Sequence, residues 1–402
     1  MTRLSLPLAL AVLAAAARAD VLHVPKDFPQ IQDAIDAAQA GDEIVIAAGT
    51  YEGVFDIDGK VDLHLRGQGT VHLIGSVAGE PNLLVSLCQQ ITLERLRIED
   101  SEGDGIRLFQ SSTVTLLHCV VSAAAEVGVD VDTCDHVTVE HCLVTGSGSD
   151  GLLASNTDTL SVIQSTIKDS GLIGLQVSEG QGHLLDRVIV DGSVEVGIGF
   201  GIGTVQGLSG SILRKCVVRN TQQTGIEVNA VGALVDGNRI FGATNSMQLL
   251  GDGCVVRKNR CVKPSSRGVL VSDGSHQVLE NRVIKPLGAG VAVSDSGNQL
   301  IRDNTVIKPQ DGFTISSGSN GSTLMGNRVV APLGRGYQIA ADETLATDNR
   351  VSGAGDLGFD VVGAGCLFVG NKAKGSANFD LFDSSGSANT YVDNDFGTTS
   401  FN

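Results

Sequence analysis

Tryptophan is absent from this chain of 402 residues, and tyrosine and proline occur only 3 and 8 times. Aromatic residues make up 4% of the sequence and charged residues 18%. A folded core must therefore consist mainly of small and branched aliphatic side chains. Glycine is abundant, with 51 residues, but it follows no Gly-X-Y period, which excludes collagen. Hydrophobic residues, at 42%, are numerous enough for a core and exclude a disordered chain.

Positive charge is also scarce, because 28 Lys and Arg residues stand against 45 Asp and Glu residues and leave a formal net charge of −17. This balance argues against nucleic acid and anionic membrane surfaces as partners, since both are bound by clustered Lys and Arg. After Ala17, no apolar run approaches the length of a membrane span. We expect no nucleic-acid partner, no membrane insertion of the mature chain, and a monomer.

The N-terminus has the pattern of a secretory signal peptide. Arg3 supplies a positive charge, Leu4 to Ala17 is apolar, and Ala17-Arg18-Ala19 is an A-x-A cleavage site. Residues 1–19 are therefore predicted to direct export, which places the mature protein outside the cell, in a periplasm or at the cell surface. An uncleaved membrane anchor is the alternative.

Two residue types recur with a common period. Each glycine of one series precedes a short apolar segment, with Ser246 in the one missing position, and asparagine recurs at a second position. The glycines are Gly105, Gly128, Gly151, Gly174, Gly197, Gly225, Gly268, Gly290, Gly312, Gly336 and Gly358, and the asparagines are Asn238, Asn259, Asn281, Asn304, Asn327, Asn349, Asn371 and Asn394. A repeat of about 22 residues is too short for the helical repeats of ankyrin or tetratricopeptide proteins.

Within a repeat, apolar and polar residues alternate. Leu116, Val137 and Val139 are apolar, whereas Thr115 and Thr138 are polar. A period of two predicts a strand with one buried face, and strand, turn, strand, turn predicts one coil of a parallel β-helix. Coils stack about 4.8 Å apart, so equivalent asparagines would form a ladder. The glycines would allow a tight or positive-φ corner before each strand.

The segment before the repeats predicts a cap. Ile31, Ala34, Ile35 and Ala38 follow the i, i+3, i+4, i+7 spacing of an amphipathic helix, and Gly41-Asp42 would end it. We interpret Val21 to Tyr51 as a cap over the first coil, because a solenoid needs its end covered.

The segments Ile31–Ala38 (IQDAIDAA) and Gly41–Tyr51 (GDEIVIAAGTY) resemble the opening of the pectin-lyase-like superfamily. The resemblance implies an all-β fold, a single-stranded right-handed parallel β-helix with a short N-terminal capping helix. The domain prediction is a signal peptide at 1–19, the cap and first strand at 20–52, and the β-helix at 53–402. Because this superfamily hosts many reactions, the resemblance is specific for fold and not for chemistry.

None of the superfamily's familiar catalytic signatures is complete in this chain. Asn156-Thr157-Asp158 matches the first polygalacturonase segment, but the others are missing. The D-P-H-D tetrapeptide of alginate epimerases does not occur, and motifs that contain tryptophan cannot occur. No catalytic set is carried over from a known enzyme.

The densest candidate for chemistry lies in the early repeats. Asp130 follows Arg107 by one repeat in the same outward position, and Asp132 is two residues further on. We predict Arg107, Asp130 and Asp132 as catalytic candidates, with Asp104 and Asp150 at matching corners. Arginine or carboxylate-bound Ca²⁺ would neutralise a sugar acid, so calcium is a possible cofactor. The alternative is a solvated face.

A row of cations is the clearest exposed pattern, interrupted only by Thr305. It predicts a polyanion-binding surface. The alternative is that acidic residues two positions earlier, such as Glu280, Asp303 and Asp348, neutralise the row. The substrate-binding candidates are Arg239, Arg260, Arg282, Arg328, Arg350 and Lys372.

Two smaller features have alternative explanations. His118 and His141 share one outward position and would bind a metal or form a surface ladder. Cys119, Cys142 and Cys216 fall in the position that asparagine takes later, where a small buried side chain fits. A Cys119–Cys142 disulfide is the alternative in an exported chain.

Three functions stay open at this stage. The first is an exported protein that binds or acts on polysaccharide without a recognisable catalytic signature. The second is a polyuronate lyase, an epimerase or a glycosidase at Arg107, Asp130 and Asp132. The third is a non-catalytic structural or protein-interaction rod.

Overall fold

The computed structural model describes residues 19–201, 208–386 and 388–401. The predicted signal peptide therefore lies outside the described residues, except for Ala19. The described chain forms a parallel β-solenoid of about 16 turns. The predicted all-β, right-handed parallel β-helix is confirmed.

Each coil contributes strands to three faces, which we number in the order in which the chain meets them. Face 1 is a sheet of sixteen strands: Phe55–Asp58, Leu83–Ser86, Ile106–Phe109, Val129–Asp132, Leu152–Ser155, Leu175–Val177, Val196–Phe200, Thr224–Val228, Asn245–Leu249, Val269–Val271, Ala289–Val293, Asp311–Ile315, Tyr337–Ile339, Phe359–Val361, Leu381–Asp383 and Thr399–Phe401. Face 2 contains Gln89–Glu94, Ser112–Leu117, Asp135–Glu140, Ser161–Ile163, Leu184–Asp186, Ile212–Arg214, Leu234–Asp236, Val255–Arg257, Gln277–Leu279, Leu300–Arg302, Thr323–Met325, Leu345–Thr347, Leu367–Val369 and Thr390–Val392. Face 3 contains Arg97–Glu99, Val120–Ser122, Leu143–Thr145, Thr166–Ser170, Ile189–Ser193, Val217–Arg219, Arg239–Phe241, Arg260–Val262, Arg282–Ile284, Thr305–Ile307, Arg328–Val330, Arg350–Ser352, Lys372–Lys374 and Asp395–Phe396.

Faces 2 and 3 belong to one continuous sheet, because two long strands of the first coils, Glu43–Glu52 and Val61–Ile74, run through both faces. Strand Val21–Val24 pairs with the first of them. A separate pair, Gly180–Gln181 with Leu208–Ser209, lies between two coils. The coils pair in parallel, with one register shift between Ala47 and Gly49 in the first of the two long strands. Equivalent residues of the later coils therefore stand above one another along the rod.

One short helix, Ile31–Ala37, occupies the predicted position. Its apolar side, formed by Ile31, Ala34 and Ile35, is buried in the core. Gln32 fastens the helix to face 1, because its side-chain amide exchanges two hydrogen bonds of 2.9 Å with the backbone of Asp56. The helix thus contacts the first coil, as a cap does.

The interior consists of stacked aliphatic side chains with a short column of rings. Tyr337 points inward and is fully buried between Phe313 and Phe359, with ring centroids 4.9 and 4.6 Å away. Its hydroxyl donates a hydrogen bond of 3.0 Å to the carbonyl of Asn327. The few aromatic residues are therefore concentrated near the C-terminal coils.

The predicted asparagine ladder follows the corner between faces 2 and 3. In each step, the side-chain amide of one asparagine donates to the side-chain oxygen of the next, for example from Asn238 to Asn259 at 3.0 Å. The same oxygen accepts the backbone N–H of the first asparagine at 2.8 Å. The ladder reaches Asn394 without a break. Buried donors at this corner are satisfied from coil to coil.

Of the two explanations expected for the recurring glycines, a tight corner or a positive φ, the second is wrong. The series from Gly105 to Gly358 does not adopt a positive φ. A Cβ atom at Gly290, for example, would lie 2.7 Å from the carbonyl oxygen of Gly312 in the next coil. Close approach of stacked backbones, and not a left-handed corner, explains why this position holds glycine.

All eight cysteines are buried and free, so the alternative of a Cys119–Cys142 disulfide is not formed. Cys119 and Cys142 occupy the ladder corner, where their sulfurs contact backbone carbonyls of their own and the preceding coil. Burial raises the pKa of the Cys216 thiol to about 12. The cysteines act here as small buried side chains.

Candidate functional site

Face 1 brings two of the three catalytic candidates into contact near the N-terminal end. Asp130 lies directly beside Arg107 in the next strand, and the guanidinium Nε is 3.4 Å from the carboxylate. Asp132 is beside Phe109 in the same pair of strands. The predicted arrangement of Arg107, Asp130 and Asp132 is therefore present, with the ion pair between the first two.

Asp130 is a buried acid, with only 9% of the residue exposed. Burial, assisted by the negative charge of Asp104 and opposed by Arg107, raises the pKa of Asp130 to about 6. An acid with this pKa exchanges its proton near neutral pH, which suits general acid–base work. A depression of about 370 Å³ adjoins the pair and is lined by Glu80, Pro81, Leu84, Ser86, Leu87, Arg107 and Phe109.

The other acids of this patch hold the coils together. A side-chain oxygen of Asp104 accepts the backbone N–H of Val127 at 3.0 Å, and one of Asp150 accepts that of Ile173 at 2.9 Å. Burial raises the pKa of both carboxyls. Within residues 19–201, 208–386 and 388–401, no group of three or more His, Cys, Asp or Glu side chains is arranged to hold a metal ion.

We predict that Asp130→Asn stabilises the fold at high pH. The folded pKa of about 6 exceeds the unfolded value of about 3.9. Between these pH values the unfolded carboxyl has lost its proton and the folded one has kept it, so native stability falls as the pH rises. The full cost is present above the folded pKa, and the variant should gain about 3 kcal/mol at pH 8 and almost nothing at pH 4. Urea midpoints from pH 4 to 8 measure this difference, and a gain that does not vary with pH would contradict the prediction.

The substrate-binding candidates form one column on face 3, which we call the basic row. Register pairs connect Arg239, Arg260, Arg282, Thr305, Arg328, Arg350 and Lys372 in this order. The six basic side chains are exposed, and Thr305 is half-buried. Because neighbouring strands lie about 4.8 Å apart, the row presents cations along roughly 30 Å of the rod.

Neighbouring acids do not neutralise the basic row. Glu280 approaches Lys258 at 4.0 Å, and Asp303 contacts Arg302 at 3.3 Å, both on the face 2 side of the corner. Across the part of the chain that the structure describes, no carboxylate lies within ion-pair distance of a row cation. A depression of about 460 Å³ near the C-terminal end is lined by Arg328, Val329, Arg350, Val351, Ser352, Lys372, Lys374 and Asp395. The row ends at Asp395, which pairs with Lys374 at 2.9 Å.

A second set of cations was missed by the sequence analysis. Lys263, Lys285 and Lys308 occupy equivalent corners three residues after Arg260, Arg282 and Thr305, and all three are exposed. Each precedes a proline, so the recurrence of Val/Ile-Lys-Pro at spacings of 22 and 23 residues was a signal that could have revealed them.

His118 and His141 stack as expected, with ring centroids 5.1 Å apart and planes inclined by 12°. His141 also lies 3.5 Å from the carboxylate of Glu140. These contacts are those of a surface ladder.

No helix of the described residues is long and apolar enough to cross a membrane.

No curated protein matches the chain in sequence. Among solved structures, the chain is similar to the A-module of a mannuronan C-5 epimerase from Azotobacter vinelandii, with a TM-score of 0.59, 14% identity, and coverage of 80% of this chain and 93% of the other. It is similar to a mannuronic acid specific polysaccharide family 6 lyase from human gut microbiota, with a TM-score of 0.50, 15% identity and coverage of 88% and 86%. It is also similar to the receptor-binding tailspike of bacteriophage Det7, with a TM-score of 0.51, 14% identity and coverage of 88% and 73%. At these identities the likenesses show the fold.

The family model described as "Right handed beta helix region" matches residues 82–167, 126–261 and 224–396. These segments overlap and together span most of the chain, from the second strand of face 1 to the last coil. The chain therefore belongs to the right-handed β-helix family.

Proposed function

We propose that this protein is exported and binds an anionic polysaccharide along the basic row. The observation that carries the proposal is the alignment of six exposed cations on face 3 without an acidic partner among the described residues. In a chain with a net charge of −17, these cations form a local exception to the acidic surface. The names of two similar structures, a mannuronan epimerase and a mannuronic acid specific lyase, support polyuronates as the first ligands to test.

The test compares polymannuronate binding by residues 20–402 and by two triple variants, measured by calorimetry at low and high salt. Arg260→Gln, Arg282→Gln and Arg350→Gln remove three charges from the row, and we expect at least tenfold weaker binding with a smaller salt dependence. Arg257→Gln, Lys258→Gln and Arg302→Gln remove the same charge from face 2 of nearby coils and should leave binding unchanged. Equal loss in both variants, or no binding by the parent protein, would reject the proposal.

The second candidate function is a polyuronate lyase or epimerase at Arg107 and Asp130, with Asp132 beside them. The observation that favours it is the raised pKa of buried Asp130 next to an arginine that would neutralise a sugar carboxylate. Lyase activity would appear as an unsaturated product absorbing in the ultraviolet, and epimerase activity as changed sugar signals in NMR spectra. If the parent protein produces neither change, with or without Ca²⁺, this candidate is rejected.

A further inference from the structure

Face 3 carries a second line of positive charge parallel to the basic row. Lys263, Lys285 and Lys308, which we call the lysine row, follow their strands at three successive coils. Their backbones share one left-handed conformation, with φ values of 52°, 53° and 49°. Because a shared backbone conformation repeats in register, the three side chains leave the rod from equivalent points about 4.8 Å apart.

The lysine row is free to receive a ligand. Among the described residues, no carboxylate lies within ion-pair distance of any of its three ammonium groups. Buried prolines, at positions 264, 286 and 309, follow the lysines and hold the corner in place.

The strip between the two rows is aliphatic. Val262, Ile284 and Ile307 are the last residues of their face 3 strands, lie on the outer side of the sheet and are half-buried. From Arg260 to Lys263 the chain advances three residues, which is about 10 Å in an extended strand. Face 3 therefore presents two cationic edges about 10 Å apart with an apolar floor between them.

We propose that this surface selects a flat polyuronate ribbon whose carboxylates project from both edges. In an extended chain of 1,4-linked uronates with equatorial linkages, successive carboxylates point to opposite sides, and the C–H groups of the rings form apolar faces. Such a ribbon lies along the rod, with alternate carboxylates on the basic row and the lysine row and its ring faces on the aliphatic strip. Two coils span about 10 Å, which is comparable with one disaccharide. The inference rests on the proposed function and specifies its ligand.

The test uses oligomannuronate, which forms the flat ribbon, and oligoguluronate of equal length and charge, which is buckled by its axial linkages. The intact protein should bind oligomannuronate more tightly. Lys263→Gln, Lys285→Gln and Lys308→Gln together should weaken oligomannuronate binding about tenfold and remove most of the preference. Arginine at the same three positions should restore both the affinity for oligomannuronate and the preference over oligoguluronate. This comparison separates the effect of charge from any effect on folding.

The outcomes distinguish the ligand geometry from the function itself. If the lysine variant binds both oligomers as the parent does while the Arg260, Arg282 and Arg350 variant binds neither, the basic row acts alone and the two-edged ribbon is wrong. If both variants bind as the parent does, the proposed function fails as well. Equal affinity of the parent for the two oligomers would also overturn the inference.

Discussion

Asn281→Ala should lower the free energy of unfolding by about 4 kcal/mol. The side-chain oxygen of Asn281 accepts hydrogen bonds from the backbone N–H and the side-chain amide of Asn259, at 2.9 and 3.0 Å. Its own amide donates to the carbonyl of Val256 at 2.8 Å and to Asn304 at 3.1 Å. Alanine leaves the backbone N–H of Asn259 and one of its two side-chain amide N–H groups unpaired, in a corner where Asn281 is 1% exposed. Each buried unsatisfied group costs about 1–3 kcal/mol.

Asn394→Ala is the matched control, because Asn394 ends the ladder and accepts the same two bonds from Asn371. It is only partly buried, so water reaches the groups that the substitution frees. Urea-induced unfolding followed by circular dichroism should show a midpoint shift several times larger for Asn281→Ala than for the control. Equal small shifts would mean that the ladder contributes little to stability.

The fold was predictable because every coil repeats the same contacts. In a stacked solenoid, each residue meets its equivalents one period before and after, so the requirements of a corner appear directly as a spacing in the sequence. The buried asparagines from Asn238 to Asn371 show this most clearly, since only a side chain with a donor and an acceptor continues the ladder in both directions. The helix at Ile31–Ala37 was predictable from its own apolar spacing.

The functional surfaces were less predictable, because ion pairing depends on side-chain direction across a corner. Asp303 precedes the basic row by two residues in the chain, yet it pairs with Arg302 on the face 2 side. The lysine row was missed because its members lie outside the strands, at corners that the alternating pattern does not mark. Burial of Asp130 likewise arises from its neighbours on adjacent coils, which a single repeat does not display.

The glycine series was located correctly, but its members do not have the positive φ that was one of the two explanations, and Ser246 shows what the position requires. In the other coils up to Gly336, this glycine faces a β-branched residue on the inner side of face 3, such as Ile167 opposite Gly151 or Ile240 opposite Gly225, and Gly358 faces Ala373. In the coil that contains Ser246, the corresponding residue is Cys261, in register with Ile240 and Val283. A larger residue at the corner thus accompanies a smaller residue opposite it.

Gly151→Ala should therefore destabilise the protein severely, by about 3 kcal/mol or more. A Cβ atom at this position would lie 2.5 Å from the carbonyl oxygen of Gly174 and 2.7 Å from the hydroxyl of Ser170, and would collide with Ile167. The carbonyl belongs to the next coil, so it moves only if the strands of face 1 separate. We expect a sharp loss of soluble protein and a much lower melting temperature.

Two comparisons identify close packing as the cause. Gly353→Ala is the control for backbone conformation, because Gly353 has a φ of +64° and no atom within 4 Å of an added Cβ; it should cost only about 1 kcal/mol. The double variant Gly151→Ser with Ile167→Cys reproduces the Ser246 and Cys261 pair and should melt above the single variant Gly151→Ser. If Gly353→Ala were as damaging as Gly151→Ala, or if the paired cysteine gave no recovery, close packing around the added Cβ would not be what restricts this position to glycine.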